Sequence, residues 1–97
     1  MLLQIDDETR IKSTDHGWQV EYRRTKHGEA AWTPKTYHLT FGQAVSEAVQ
    51  REIRRNPADT LTEAIEAVDQ IARKYERVID RAAAAAADRV ERLAQFE

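Results

Sequence analysis

The sequence contains no cysteine. That excludes a disulfide framework and a thiolate metal site, and it suits a reducing compartment. Glycine and proline are scarce, three and two residues, and none lies beyond Pro57. No stretch approaches the roughly 20 apolar residues of a membrane span. The opening Met1-Leu2-Leu3-Gln4 lacks the apolar run of a signal peptide. The expectation is therefore an intracellular, cytoplasmic protein with no membrane partner. The net charge of −2 is too small and of the wrong sign for wholesale polyanion binding, though it leaves room for a local basic patch. The 97 residues suffice for one domain, or a small domain with an appendage.

The absence of helix breakers after Pro57 has one dominant consequence. Residues 59–96 read as a single helix with an uninterrupted alanine block, Ala82 to Ala87. At about 1.5 Å per residue it would exceed ~50 Å, more than the preceding residues can cover. Thr60-Leu61-Thr62-Glu63 forms a capping box at its start, with Asp59 or Thr60 as the cap. Leu61, Ile65, Val68, Ala72, Tyr75, Ile79, Ala82 and Ala86 recur at alternating three- and four-residue spacing, and Leu93 and Phe96 resume it after Val90. That is the seam of helix-on-helix packing. The acid-first pairs Asp69–Arg73 and Asp88–Arg92 support the helix. The first half has the small domain to pack on. The second half has nothing left in its own chain, so Tyr75, Ile79, Ala82, Ala86, Val90, Leu93 and Phe96 are the candidate interface of a homodimer or of a partner-docking helix.

Upstream, the pattern changes to period two. Residues 9–13, 18–25 and 31–39 each read as strands, separated by the turn-forming runs Thr14-Asp15-His16-Gly17 and Lys26-His27-Gly28-Glu29. Short turns make a three-stranded antiparallel meander the economical topology. Leu2 to Ile5 is a short apolar stretch able to start a strand, but it is not counted among the three. Pro34 cannot donate to a ladder, so the third strand is an edge strand or carries a bulge. One sheet face would be apolar, from Ile11, Trp18, Val20, Tyr22 and Tyr37 or Leu39. The covering helix follows at 40–55, opened by the capping box Thr40-Phe41-Gly42-Gln43 and ended by Asn56-Pro57. The expected fold class is α+β. Residues 1–57 would form the meander with its covering helix, and residues 58–97 the long helix.

No residue pattern points to catalysis. His16, His27 and His38 lack metal-ligand spacing and read as surface histidines. Ser13 and Ser46 lack the glycines of a nucleophile elbow. Asp6-Asp7-Glu8 reads as a solvated turn, not a calcium loop. The chain is thus expected to be no enzyme and to hold no cofactor and no metal. One cluster looks functional. Arg23 and Arg24, with Arg10, Lys12 and Lys35, would make a basic sheet face able to enter a DNA major groove; the alternative is an ordinary solvated face. Arg51, Arg54 and Arg55 form a second basic edge at the end of the covering helix, where they would satisfy its carbonyls. Along the long helix, Glu63, Glu66, Asp69, Glu76 and Asp80 form an acidic series. It is either a solvated helix face or a mimic of nucleic-acid charge.

Two resemblances add to this reading. Trp18 to Arg23 and Tyr37 to Ala44, in the order strands then helix, resemble the arm-site DNA-binding domain of phage integrases, which lays its sheet face in the major groove. Glu21 and Glu29 depart from that family's Arg- and Lys-rich strands. Residues 4–70 resemble a group of small phage-encoded proteins of unassigned function, through Ile5-Asp6-Asp7, Arg10-Ile11-Lys12-Ser13, Trp32, Tyr37, Ala44, Ile53-Arg54 and Ala58-Asp59-Thr60-Leu61-Thr62-Glu63. That resemblance implies a phage setting and a host-cell cytoplasm. Small non-enzymatic phage proteins often inhibit host machinery, CRISPR effector complexes included. The implied function is an anti-CRISPR-like inhibitor that binds a host protein or protein–nucleic-acid complex. The alternatives are a DNA-binding accessory protein and a dimeric structural adaptor.

Overall fold

The computed structural model describes residues 1–95, with the backbone alone at Lys26. It has the order β1 (Leu2–Gln4), β2 (Thr9–Thr14), β3 (Gly17–Lys26), β4 (Glu29–His38), α1 (Phe41–Arg55) and α2 (Leu61–Ala94). The strands form one antiparallel sheet in sequence order. The α+β class and the meander are as expected, but the sheet has four strands, not three. Leu2–Gln4 pairs with β2, Leu3 lying opposite Ile11. Three residues are too few to carry a period, yet pairing there buries Leu3 and, just after it, Ile5.

The two later hairpins are set by local backbone chemistry. Between β3 and β4, His27 and Gly28 have φ of 54° and 80°, the positive values that a two-residue type I′ turn requires. At the other end of β3, Gly17 has φ of 151°, and a Cβ there would lie 2.3 Å from the His38 carbonyl oxygen. Only glycine lets β3 begin so close to the end of β4.

Pro34 acts as expected of a residue without an N–H. β4 is an edge strand, and its register shifts: Val20 pairs with Thr36 but Glu21 with Pro34, leaving Lys35 as the extra residue of a bulge. The bulge reverses the parity of the strand. Trp32 opposite Arg23 and Tyr37 opposite Gln19 both fall on the outer face, although five residues apart. This corrects the expected apolar face. Tyr37 and Leu39 are exposed, and their contribution to the core comes instead from Leu3 and Ile5.

The core is Leu3, Ile5, Ile11, Val20, Tyr22, Ala44, Ala48 and Tyr75. Ala44 and Ala48 let α1 approach the sheet closely, and Phe41 at its start meets Trp18 with ring centroids 4.9 Å apart. The Thr40 capping box is complete, with both reciprocal bonds formed. At α2 the Thr60 hydroxyl accepts from the Glu63 N–H, but the Glu63 carboxylate accepts from the Asp59 N–H. A single covering helix is a second expectation that needs correction. Ile71, Tyr75, Val78, Ile79 and Ala82 of α2 join α1 in closing the core. The first part of α2 therefore lies along the body, Ala64 and Ala67 being half-buried beside Ile53 and Ala58, and its C-terminal end runs out from it; the longest dimension of the chain is 57 Å.

Candidate functional site

Three regions gather the side chains with chemistry to offer. The first is the outer face of the sheet. Alternation along the strands places Arg10, Lys12, Gln19, Glu21 and Arg23 there, with Trp32 and Tyr37 from β4. Arg10 is committed: its Nε donates to Glu21 Oε1 at 2.5 Å, and its guanidinium lies 4.4 Å from the Trp32 ring centroid. Glu21 is buried, and its other oxygen accepts from Gln19 Nε2 at 2.7 Å. A buried carboxylate at this point is tolerated because both oxygens are satisfied. Lys12 and Arg23 are exposed. Arg24 follows Arg23 and so emerges on the opposite, helix-bearing face, while Lys35 sits in the bulge. The five basic residues read from the sequence are therefore divided: Arg10, Lys12 and Arg23 share one face, and Arg24 does not join them.

The second region is α2. At ~100° per residue, Leu61, Ile65, Val68, Tyr75, Ile79, Ala82, Ala86, Val90 and Leu93 fall on one face. The body covers only the middle of that face; at the helix start α1 meets the neighbouring stripe of Ala64, Ala67 and Ile71 instead. Tyr75 is in the chain's own core, with Ile79 and Ala82 packed beside it. Leu61, Ile65 and Val68 before that zone are exposed, as are Ala86, Val90 and Leu93 after it. Phe96, last of the expected interface, lies outside the described residues. The acidic series Glu63, Glu66, Asp69, Glu76 and Asp80 is exposed on the remaining surface. It alternates with Arg73, Arg77 and Arg81, and Asp69 is tied to Arg73 at 2.9 Å, so the surface is mixed in sign.

The third region was not legible from the sequence. Lys74, on the flank of the seam, reaches the β1–β2 loop and α1 together: its Nζ bonds Asp6 Oδ2 at 3.0 Å and Glu52 Oε1. Desolvation by itself would raise the Asp6 carboxyl. The Glu8 N–H, the Lys74 ammonium and the Thr9 backbone outweigh it, and Asp6 titrates below its ordinary value of 3.8. Desolvation would likewise lower Lys74, but Glu52 and Asp6 hold it above its ordinary 10.5. Burial, and then the neighbouring Glu52 carboxylate, push the Tyr75 phenol far above its usual range. Its hydroxyl nonetheless meets no partner in hydrogen-bond geometry among the described residues. Beside this junction opens a cavity of about 710 Å³, to which β3 contributes Tyr22, Arg23 and Arg24 and the end of α1 contributes Arg51, Glu52 and Arg55. Asp6 looked like part of a solvated turn because nothing local announces a partner 68 residues away.

Among the described residues no group of His, Cys, Asp or Glu is placed to hold a metal ion, and no helix is long and apolar enough to cross a membrane. No protein-family model, curated protein or solved structure matches the chain.

Proposed function

We propose that this chain is a non-enzymatic protein-binding module that docks through the uncovered ends of the α2 seam. The observation that carries the reading is the continuity of that seam. The same helical face that buries Tyr75 in the core leaves Leu61 78%, Ile65 61%, Val90 64% and Leu93 69% exposed. Burying one such side chain is worth roughly 1.5–3 kcal/mol, so a complementary apolar surface has a substantial gain waiting on this helix. The resemblance of residues 4–70 to small phage-encoded proteins supports a finer statement. The partner would be a host defence complex of the CRISPR effector type, inhibited by occupation of its surface in the host cytoplasm, and a second copy of this chain is the other candidate occupant. The test is target-DNA binding by purified CRISPR effector complexes, with and without the chain. Inhibition that is lost when Val90 and Leu93 are changed to Ser supports the reading. No inhibition, together with a monomer by light scattering at high concentration, sinks it.

One observation favours a second reading, a DNA-binding accessory protein. The bulge at Lys35 sets Trp32 and Tyr37 on the outer face beside Lys12 and Arg23, a combination of rings and cations suited to nucleic acid. Salt-dependent DNA binding lost on Lys12→Ala with Arg23→Ala, but kept on Arg24→Ala, supports this reading against the first.

A further inference from the structure

Three arginines on the helix-bearing side line the 710 Å³ cavity at the end of α1, Arg24, Arg51 and Arg55; Arg23 borders it too, but alternation sends its side chain to the outer face. None of them forms an ion pair among the described residues; the arginines that do are Arg10, Arg54, Arg73 and Arg92. Three carboxylates stand in the same wall, from Asp6, Glu8 and Glu52. Lys74 engages two of those, Asp6 and Glu52. With Lys74 behind the wall, four cations thus stand against three anions, an excess of one positive charge. The carboxyl end of α1 offsets only about half a charge.

The arginine at the centre is held in place. The Arg51 guanidinium stacks on the Tyr22 ring at 3.5 Å from its centroid, and its NH1 is buried without a hydrogen-bond partner among the described residues. Tyr22 is more than nine-tenths buried, and its hydroxyl also lacks a partner among the described residues. A desolvated donor left unmet costs about 1–3 kcal/mol. An anionic oxygen arriving at Arg51 would remove that cost and form the short, charge-assisted bonds that guanidinium makes best.

Charge and size together narrow the ligand class. Three guanidiniums offer more donors than the two oxygens of a carboxylate can take, whereas a phosphate monoester presents three acceptor oxygens and a charge of about −1.5 to −2 at neutral pH. The volume lies within the roughly 300–1,000 Å³ of small-molecule sites and far exceeds a lone phosphate. We propose that this cavity binds a small phosphate monoester of nucleotide size, its phosphoryl group on Arg51 with Arg24 and Arg55 at the rim. The site is separate from the α2 seam and stands whether or not that seam docks a partner.

The experiment is isothermal titration calorimetry of the full chain with adenosine 5′-monophosphate, ribose 5-phosphate, inorganic phosphate and adenosine as probes. The expected result is one-to-one binding of at least one phosphate ester, tighter than inorganic phosphate, with adenosine inert. Loss of one charge-assisted contact weakens binding by about tenfold or more, so Arg24→Ala and Arg55→Ala should each do so while Lys12→Ala does not. Arg24 and Arg55 are exposed, so these variants keep the core intact, which circular dichroism checks. Arg51→Gln should abolish binding. No heat from any phosphate ester at about 1 mM overturns the proposal. So does equal binding of adenosine, or affinity that survives Arg24→Ala with Arg55→Ala. Binding of a 5′-phosphorylated DNA strand without binding of any small ester overturns it as well, in favour of a nucleic-acid end.

Discussion

Replacing Lys74 by Met separates the charge of the junction from its packing. Lys74 Nζ meets two carboxylates, Asp6 from the β1–β2 loop and Glu52 from α1. Near a protein surface, opposite charges about 4 Å apart attract by about 4 kcal/mol, but desolvation takes most of this back. Exposed pairs are worth about 0.2–1 kcal/mol, and breaking a buried pair costs about 3–5 kcal/mol. The three side chains retain 29%, 35% and 25% of their exposure for Lys74, Asp6 and Glu52, between those limits. Lys74→Met should therefore cost about 2 kcal/mol, or roughly 8–16 °C in Tm for a domain of this size. Urea denaturation at pH 7 measures it. Neutralising the remaining carboxylates as well, with Asp6→Asn and Glu52→Gln, should recover at least about half of the loss, because no uncompensated charge is left. A cost below about 0.5 kcal/mol for the single variant refutes the electrostatic account. So does a triple variant no more stable than the single one, since the loss would then be packing.

The same junction predicts a pH window. Asp6 is lowered in the folded state, so its contribution is present above its ordinary 3.8 and is lost as pH falls through the folded value; Lys74 is raised, so its contribution is present below 10.5 and is lost as pH rises through its folded value. The stability gap between wild type and Lys74→Met should accordingly be widest between those limits, as read from denaturation midpoints across pH. Tyr75→Phe removes a buried hydroxyl that has no partner among the described residues and should leave stability unchanged or raise it by about 1 kcal/mol in the same assay. Gly17→Ala should cost at least about 1–3 kcal/mol in backbone strain, because its Cβ meets the His38 carbonyl; Gly28→Ala, with nothing within 4 Å, pays only for its positive φ and serves as the comparison. Deleting residues 88–97 should change stability by less than about 0.5 kcal/mol, since the described part of that segment lies wholly exposed, while Ile11→Ala in the core should cost about 2–5 kcal/mol.

What was legible in the sequence was what is local. The alternation of Trp18, Val20 and Tyr22, the glycines at the turns, the caps at Thr40 and Thr60 and the ion pairs at Asp69 and Asp88 all act within a few residues, and each is found where local chemistry puts it. The sequence was opaque where a partner is distant. β1 is too short to show a period, and only its pairing with β2 makes it a strand. Proline advertised an irregularity in β4, but which face Tyr37 takes depends on where the extra residue falls in the ladder with β3. Tyr75 stands in a seam whose spacing is identical whether the covering surface is a second chain or, as here, the sheet and α1. The cavity arginines arise from two elements 27 residues apart, Arg24 and Arg51, and no spacing rule joins them.

The placement of the body between the two exposed stretches of the α2 seam limits how copies of this chain can assemble. Val68 and Val90 are about 33 Å apart along the helix, and the body stands on the same face between them. No straight helix can lie against both exposed ends at once. The molecule therefore has two separate apolar contacts instead of one continuous seam. If each end pairs with its own kind, every copy holds two neighbours, and growth stops only if the symmetry closes into a ring. If only one end self-associates, the result is a dimer with the other end free at each extremity. Such a dimer presents two identical apolar sites far apart, a geometry that lets one assembly bridge two copies of a partner.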